Sequence, residues 1–241
     1  MKLENKVAIV TGAASGIGRS IARVYAAEGA SVVAVDLDGD RLAKVAEELG
    51  CEAVVADITT EAGREAILGR DRVDVLVNNA GILDRLTPLA SVKDEMWDQV
   101  MEVNVTAPFK LCRGAVPGMI AQGGGVILNT CSAASLSGGR AGCAYTVSKH
   151  ALLGLTRSIA WFYGEAGIRC NAIAPGAIQT KMHMRDMPHQ GGMEKYAKHF
   201  GTIPEHGKAM QVAKVALFLA SDDANYINGE VLSVDGGWNA F

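Results

Sequence analysis

A tyrosine and a lysine four residues apart are the pair in this sequence best suited to proton chemistry. Tyr145 and Lys149 would lie one turn apart on the same face of a helix. A nearby ammonium favours the phenolate form, so we expect Lys149 to lower the pKa of Tyr145 from its ordinary value of about 10. Such a phenol could take a proton from an alcohol or give one to a ketone. The same spacing is common on solvated helix faces, so the pair needs support from the rest of the chain.

A glycine-rich turn near the start of the chain predicts a nucleotide site. The apolar run 7–11 predicts a buried strand, Gly12, Gly16 and Gly18 follow it, and a helix and a second strand over 31–36 complete a βαβ unit. The glycines let backbone N–H groups approach a pyrophosphate, and the helix N-terminus adds its positive dipole end. Glycines alone often serve only a turn, but their position between a strand and a helix favours the nucleotide interpretation.

Asp36, at the end of the second predicted strand, indicates which dinucleotide would bind. A carboxylate there can accept hydrogen bonds from the hydroxyls of the adenosine ribose, and it would repel a 2′-phosphate. No arginine or lysine stands at Ala14, Ser15 or Leu37 to bind that phosphate. We therefore expect NAD in preference to NADP, while a merely solvated acid at a strand end is the alternative.

Strands and helices alternate along the whole chain, with no repeat or low-complexity linker. This pattern predicts an α/β fold: one Rossmann-like doubly wound parallel sheet of about seven strands, with helices on both faces, as a single domain over residues 1–241. Asn78 to Gly81 would follow the fourth strand, and Ser132 would lie just past the fifth strand, 125–130. Asn104 falls where two helices meet, and asparagine competes for backbone hydrogen bonds, so we expect a local distortion there.

Composition and cysteine usage exclude several classes of function. The net charge of −3 gives no reason to expect nucleic acid or an anionic membrane as a partner. The five cysteines include no C-x-x-C pair, and no signal peptide or membrane-length apolar run is evident, so we expect a cytoplasmic protein. We expect no metal, because the histidines at 183, 189, 199 and 206 lack ligand-like spacing.

Taken in order, these motifs resemble the short-chain dehydrogenase/reductase family, in its branch of single-domain enzymes of about 250 residues. The resemblance covers essentially the whole chain. It implies an oxidoreductase that transfers a hydride between NAD(H) and a secondary alcohol or ketone. The matching motifs are residues 11–18, Asn78-Asn-Ala-Gly81, Asn104, Ser132, Tyr145-x-x-x-Lys149 and Pro175-Gly-x-x-x-Thr180.

The resemblance also implies a role for each site residue. Tyr145 would be the general acid/base, Lys149 would lower its pKa and bind the nicotinamide ribose, Ser132 would hold the substrate oxygen, and Asn104 would keep a water in a proton relay. Ser135 is the alternative serine. The cofactor-binding set would be Gly12, Ser15, Gly16, Ile17, Gly18, Asp36, Leu37, Asp57, Ile58, Asn79, Ala80, Gly81, Tyr145, Lys149, Pro175, Gly176, Ile178 and Thr180.

The segment from about 180 to 207 is expected to be a mobile substrate loop. It is rich in methionine, which suits a movable cover over a partly apolar small-molecule substrate, and Gly191-Gly192 could be its hinge. The alternative is that these side chains pack against another subunit. Arg140, with Lys181 and Arg185, could contact a substrate carboxylate.

The sequence also allows alternatives for the reaction and for the role of two cysteines. The alternatives to an NAD-dependent enzyme are an NADPH-preferring 3-oxoacyl-type ketone reductase and a non-catalytic dinucleotide-binding regulator. Cys131 and Cys143 could be small packing residues or could make the site sensitive to thiol reagents. The resemblance implies a homotetramer or homodimer.

Overall fold

A seven-stranded parallel sheet forms the centre of the chain. The computed structural model describes residues 1–180 and 187–240. The strands are β1 (Val7–Thr11), β2 (Ser31–Asp36), β3 (Glu52–Val55), β4 (Val75–Asn78), β5 (Gly125–Thr130), β6 (Ile168–Pro175), β7 (Ile178–Gln179), β8 (Gly207–Lys208) and β9 (Val231–Val234). The sheet order is β3-β2-β1-β4-β5-β6-β9, and β7 pairs with β8 separately. Every neighbouring pair is parallel.

Helices cover both faces of the sheet, because the strands are apolar on both sides. On β1, Ile9 and Val10 belong to opposite cores. Helices α1, α2 and α8 pack on the core of Val10, whereas α3, α5 and α6 pack on the core of Ile9. The predicted fold class is thus confirmed. The helices are α1 (Gly16–Ala27), α2 (Gly39–Leu49), α3 (Glu61–Leu68), α4 (Asp94–Met101), α5 (Ala107–Ala121), α6 (Cys143–Tyr163), α7 (Gln190–Ala197) and α8 (Ala209–Ala220).

The order of the strands reverses beside β1, and this reversal positions the site. The chain moves from β1 outward to β2 and β3, then returns to β4 on the other side of β1. Loops that follow β1 and β4 therefore diverge and leave a crevice at their carboxyl ends, which is where open α/β sheets bind ligands.

The distortion expected at Asn104 is present. Residues Glu102–Thr106 form a π-helical turn between α4 and α5, and Asn104 is completely buried in it. None of the described helices is long and apolar enough to cross a membrane.

Candidate active site

Helix α6 brings the tyrosine and the lysine together in a buried position at the crevice. Tyr145 and Lys149 are 9% and 3% exposed. The Lys149 ammonium donates a hydrogen bond of 2.8 Å to the carbonyl of Thr130, at the carboxyl end of β5. Its nitrogen lies 5.5 Å from the centroid of the Tyr145 ring. A strand end and a helix turn therefore fix the pair, and it does not lie on a solvated helix face.

Burial controls the ionisation of both groups. It raises the pKa of Tyr145 to about 12, and a hydrogen bond from Ser132 opposes this rise. Burial also lowers the pKa of Lys149 to about 8. The pKa of Tyr145 in the protein chain by itself therefore lies above its ordinary value, opposite to the lowering expected from the sequence, because desolvation of the phenolate is the largest influence on it.

Ser132 lies two residues past the end of β5 and faces the phenol. Its hydroxyl accepts a hydrogen bond from the Ala134 backbone at 3.1 Å, and its own N–H donates to the Ser135 hydroxyl at 3.1 Å. These reciprocal bonds form a capping box around the 3₁₀ turn Ala133–Ser135. Ser135, the alternative serine, is buried and supports the turn that carries Ser132.

Asn104 ties the loop after β4 to the helix of Tyr145. Its side-chain oxygen accepts from the Ile82 N–H at 2.9 Å, and its amide donates to the Ile82 carbonyl at 3.0 Å and the Ser148 hydroxyl at 3.1 Å. A Cβ added to Gly81 would lie 3.1 Å from that side-chain oxygen and 3.5 Å from Lys149 Nζ. Asn104, Gly81 and Lys149 therefore meet at one point.

The glycine-rich turn has the geometry of a phosphate cradle. Gly12 and Gly16 adopt φ of +69° and +57°, in the left-handed region. A Cβ on Gly18 would lie 2.2 Å from the Gly12 carbonyl oxygen, so only glycine permits this close turn. No described side chain caps the N-terminus of α1, and its first turn contains no acid. Its free N–H groups therefore fit a dinucleotide pyrophosphate.

Asp36 is fixed by the backbone around the turn. Its carboxylate accepts hydrogen bonds from the N–H groups of Ala14 at 3.0 Å and Asp38 at 3.1 Å. The adjoining cavity, about 640 Å³, is bordered by Ala14, Ser15, Gly16 and Thr180, but also by Arg19, Arg41 and Lys44. These cations come from α1 and α2 and were not predicted from the sequence. Arg19 pairs with Glu48, and Arg41 lies 3.3 Å from Asp38.

Asn79 holds the end of β1, from which the glycine-rich turn begins. Its amide nitrogen donates to the Thr11 carbonyl at 2.9 Å, and the Thr11 hydroxyl accepts from the N–H groups of Asn79 and Ala80 at 2.9 and 3.1 Å. Asn78, by contrast, points into the sheet, where it donates to Asn129 at 2.8 Å. Because successive side chains of a strand point to opposite faces, the two asparagines contact different partners.

The remaining expected cofactor residues lie along the rim of the crevice. Asp57, after β3, accepts hydrogen bonds from the Thr59 N–H and hydroxyl at 2.8 and 2.7 Å, and Ile58 is buried behind it. Leu37 is 67% exposed beside Asp36. Thr180 approaches the position of a Gly16 Cβ to 3.3 Å, so the segment after β6 lies next to the glycine-rich turn. Pro175, Gly176 and Ile178 lead to it.

The substrate side differs from expectation at two points. Gly191 and Gly192 form the first turn of α7, so this pair is helical and not a loop hinge. Arg140 donates to the Trp238 carbonyl at 2.6 Å and stacks over the Trp238 ring at 4.3 Å, so it is engaged and does not present a free clamp for a carboxylate. Lys181, Met182, His183, Met184 and Arg185 lie outside the described residues.

The two cysteines near the site differ in environment. Cys131 is buried, and burial raises the pKa of its thiol; Cys143, in the first turn of α6, is partly exposed. A buried neutral thiol favours the packing role for Cys131. In the described part of the chain, no three metal-ligating side chains lie together.

Comparisons with known proteins give the family. The model described as enoyl-(acyl carrier protein) reductase matches residues 12–239. The chain belongs to the short-chain dehydrogenase/reductase family. Relatives include 3beta-hydroxysteroid dehydrogenase 2 of Eggerthella lenta, 40% identical over 99% of this chain and 96% of that protein. Another is 2-(R)-hydroxypropyl-CoM dehydrogenase of Xanthobacter autotrophicus, 41% identical over 98% and 99%.

A solved structure agrees with the fold. A putative NAD(P)-dependent gluconate 5-dehydrogenase from Beutenbergia cavernae, with NADP bound at low occupancy, superposes with a TM-score of 0.89. It is 40% identical and covers 100% of this chain and 99% of its own. The chain is accordingly an NAD(P)-dependent oxidoreductase that interconverts a hydroxyl group and a ketone, so the regulator alternative is not supported.

Proposed function

We propose that the protein is an NAD-dependent dehydrogenase of a partly apolar secondary alcohol, with Tyr145 as general acid/base. The observation that carries the proposal is the shared burial of Tyr145 and Lys149 beside Ser132, at the carboxyl ends of β4 and β5. Proton transfer and substrate orientation are what the family chemistry requires of the protein, and this cluster offers both.

Each residue has a distinct task in this proposal. Ser132 holds the substrate oxygen next to the phenol, and Tyr145 takes the hydroxyl proton in the oxidative direction. Lys149 binds the nicotinamide ribose and supplies positive charge. Asn104 fixes the Gly81–Ile82 backbone through two hydrogen bonds and keeps a water in the relay behind Lys149. Bound NAD supplies the acceptor for the substrate hydride.

Asp36 supports NAD over NADP. Its carboxylate is held at the ribose end of the crevice by two backbone N–H groups, where it would repel a 2′-phosphate. Arg41 and Arg19 are already paired with acids, so little of their charge is available to offset that repulsion. The NADPH-preferring reductase remains the second candidate, because Lys44 borders the same cavity and the related structure holds NADP.

Exposed aromatic side chains on helices α5 and α6 support a homotetramer or homodimer. Trp161 and Phe162 are 83% and 73% exposed on α6, and Phe109 on α5 is 43% exposed. Large exposed side chains of this kind mark interaction surfaces.

We also propose a single domain over 1–241 with a movable substrate loop at 180–207. A cytoplasmic location is proposed as well, which the five unpaired cysteines support. Cell fractionation would check the location.

The direct test of the proposal is Tyr145→Phe. The variant keeps the ring and its packing but lacks the hydroxyl proton, so we expect NADH binding to survive while turnover of a panel of secondary alcohols falls by about 10³-fold. Stopped-flow absorbance of NADH and calorimetric titration measure the two properties. Substantial remaining turnover would remove the assigned role from Tyr145.

A further inference from the structure

A buried carboxylate lies at the N-terminus of the helix that carries Tyr145. Asp84 is 1% exposed, in the loop after β4. Its side chain accepts a hydrogen bond of 2.9 Å from the backbone N–H of Tyr145. The N-cap residue of α6, Gly142, has no side chain to cap the helix, so Asp84 supplies the acceptor from another part of the chain.

The approach of Asp84 to α6 depends on the absence of a side chain at position 142. A Cβ on Gly142 would lie 2.4 and 2.5 Å from the two carboxylate oxygens. The carbonyl of Thr87, three residues after Asp84, accepts from the Cys143 N–H at 2.9 Å. Two of the first N–H groups of α6 are therefore bonded to the Asp84–Thr87 turn.

The same turn has an unusual backbone. Arg85 and Leu86 adopt φ of +57° and +58°, which costs energy for residues with side chains. The Thr87 N–H and hydroxyl donate to the Asp84 carbonyl at 3.1 and 2.5 Å, and the Leu86 N–H interacts with the Asp84 carboxylate. Asp84 thus stabilises the left-handed pair from both its main chain and its side chain.

Helix α7 of the substrate loop sits on this left-handed pair. The Arg85 carbonyl accepts from the His189 N–H at 2.8 Å. A Cβ on Gly192 would lie 1.8 Å from the Leu86 carbonyl oxygen, so the backbone of α7 contacts the turn directly. A Cβ on Gly191 would approach nothing closer than 3.5 Å.

We propose that Asp84 is a positioning residue that joins the N-terminus of the Tyr145 helix to helix α7 of the substrate loop through one strained turn. Placement of the phenol and seating of the substrate loop are therefore coupled. The inference rests on the proposed role of Tyr145.

The charge of Asp84 also raises the pKa of Tyr145. The pH profile of activity is therefore a measurement that a purely structural role of Asp84 would leave unchanged. Burial is the largest influence on the pKa of Tyr145 and raises it; of the neighbouring groups, Ser132 lowers it, and Cys131 and Asp84 raise it. Lys149 faces the ring from the same helix. Removal of the carboxylate charge should lower the pKa of Tyr145. The rise of kcat/KM with pH in the oxidative direction should then occur at lower pH.

Three variants of the full-length protein separate these effects. Asp84→Asn keeps the shape but removes the charge, Gly142→Ala keeps the charge but displaces the carboxylate, and Gly192→Ala disrupts the contact between α7 and the Leu86 carbonyl. Asp71→Asn, at an exposed acid, and Gly191→Ala are the matched controls. Amide hydrogen exchange of peptides over 84–87, 143–147 and 190–197 reports on the turn, on the start of α6 and on α7, respectively.

In Asp84→Asn and Gly142→Ala we expect exchange to rise about tenfold, equivalent to about 1.4 kcal/mol, in peptides on both sides of the turn. Only Asp84→Asn should shift the pH profile. Gly192→Ala should raise KM and also raise exchange over 84–87 and 143–147, whereas Gly191→Ala should leave these peptides protected. Unchanged exchange over 143–147 in Gly192→Ala, or an unshifted pH profile in Asp84→Asn, would overturn the proposal. Tyr145→Phe tests the role of Tyr145 separately from the coupling through Asp84. Retained turnover in this variant would refute the role of Tyr145 without altering the exchange results.

Discussion

Lys149→Met should make the protein more stable near neutral pH while removing its activity. The wild-type ammonium is buried, and burial lowers its pKa from 10.5 to about 8. That difference corresponds to about 3 kcal/mol of unfavourable free energy for the charged form in the folded state. Loss of the hydrogen bond to the Thr130 carbonyl would cost about 1 kcal/mol. We therefore expect a net gain of about 2 kcal/mol at pH 7 in the variant.

The sign of the pH dependence follows from proton binding. Between pH 8 and 10.5 the unfolded chain keeps the Lys149 proton while the folded protein releases it, so the wild-type free energy of unfolding gains from this group as pH rises. Cys112 and Tyr145, whose pKa values burial raises to about 12, act in the opposite direction in both proteins. The difference between wild type and variant therefore reports on Lys149 and on the Cys131 thiol, whose pKa the Lys149 charge lowers.

The assay is urea unfolding of both proteins at equal concentration from pH 7 to 10. The advantage of Lys149→Met should shrink steadily above pH 8 and vanish or reverse near pH 10. A difference that stays constant across this range would show that Lys149 is not a desolvated ammonium, and the account of the pair as governed by burial would be refuted. Turnover of the variant should be lost at every pH, because the charge beside the phenol is absent.

Three further predictions concern the cofactor and the assembly. Asp36→Ser should raise kcat/KM with NADPH relative to NADH by at least about tenfold, because repulsion of the 2′-phosphate is removed; a wild type that already prefers NADPH would contradict the argument. Gly18→Ala should abolish NADH binding in calorimetric titration, since its Cβ would overlap the Gly12 carbonyl, whereas Gly118→Ala, whose Cβ meets nothing within 4 Å, should bind normally. Trp161→Glu should shift the sedimentation profile toward the monomer, and a wild type that sediments as a monomer would exclude the interface.

Local sequence determined most of the fold. Strands β1, β2 and β5 begin and end as their apolar runs predict, because a parallel strand covered on both faces must be apolar throughout. The glycine-rich turn could also be predicted from the sequence, since left-handed φ and close backbone contact leave glycine as the only choice. The buried side of the site was harder to predict from the sequence. Asp84 is one acid among many in the sequence, and only the fold buries it against Gly142 and the Tyr145 N–H.

The spacing of Tyr145 and Lys149 determined that the two side chains would be neighbours on one helix. Tertiary structure decided how they ionise, because the sheet, Thr130 and the loops around α6 remove water from both groups. A helical spacing specifies distance along one element, whereas the pKa depends on how much solvent every surrounding element excludes. For this reason the sequence located the pair, and the folded structure decided that burial is the largest influence on both pKa values.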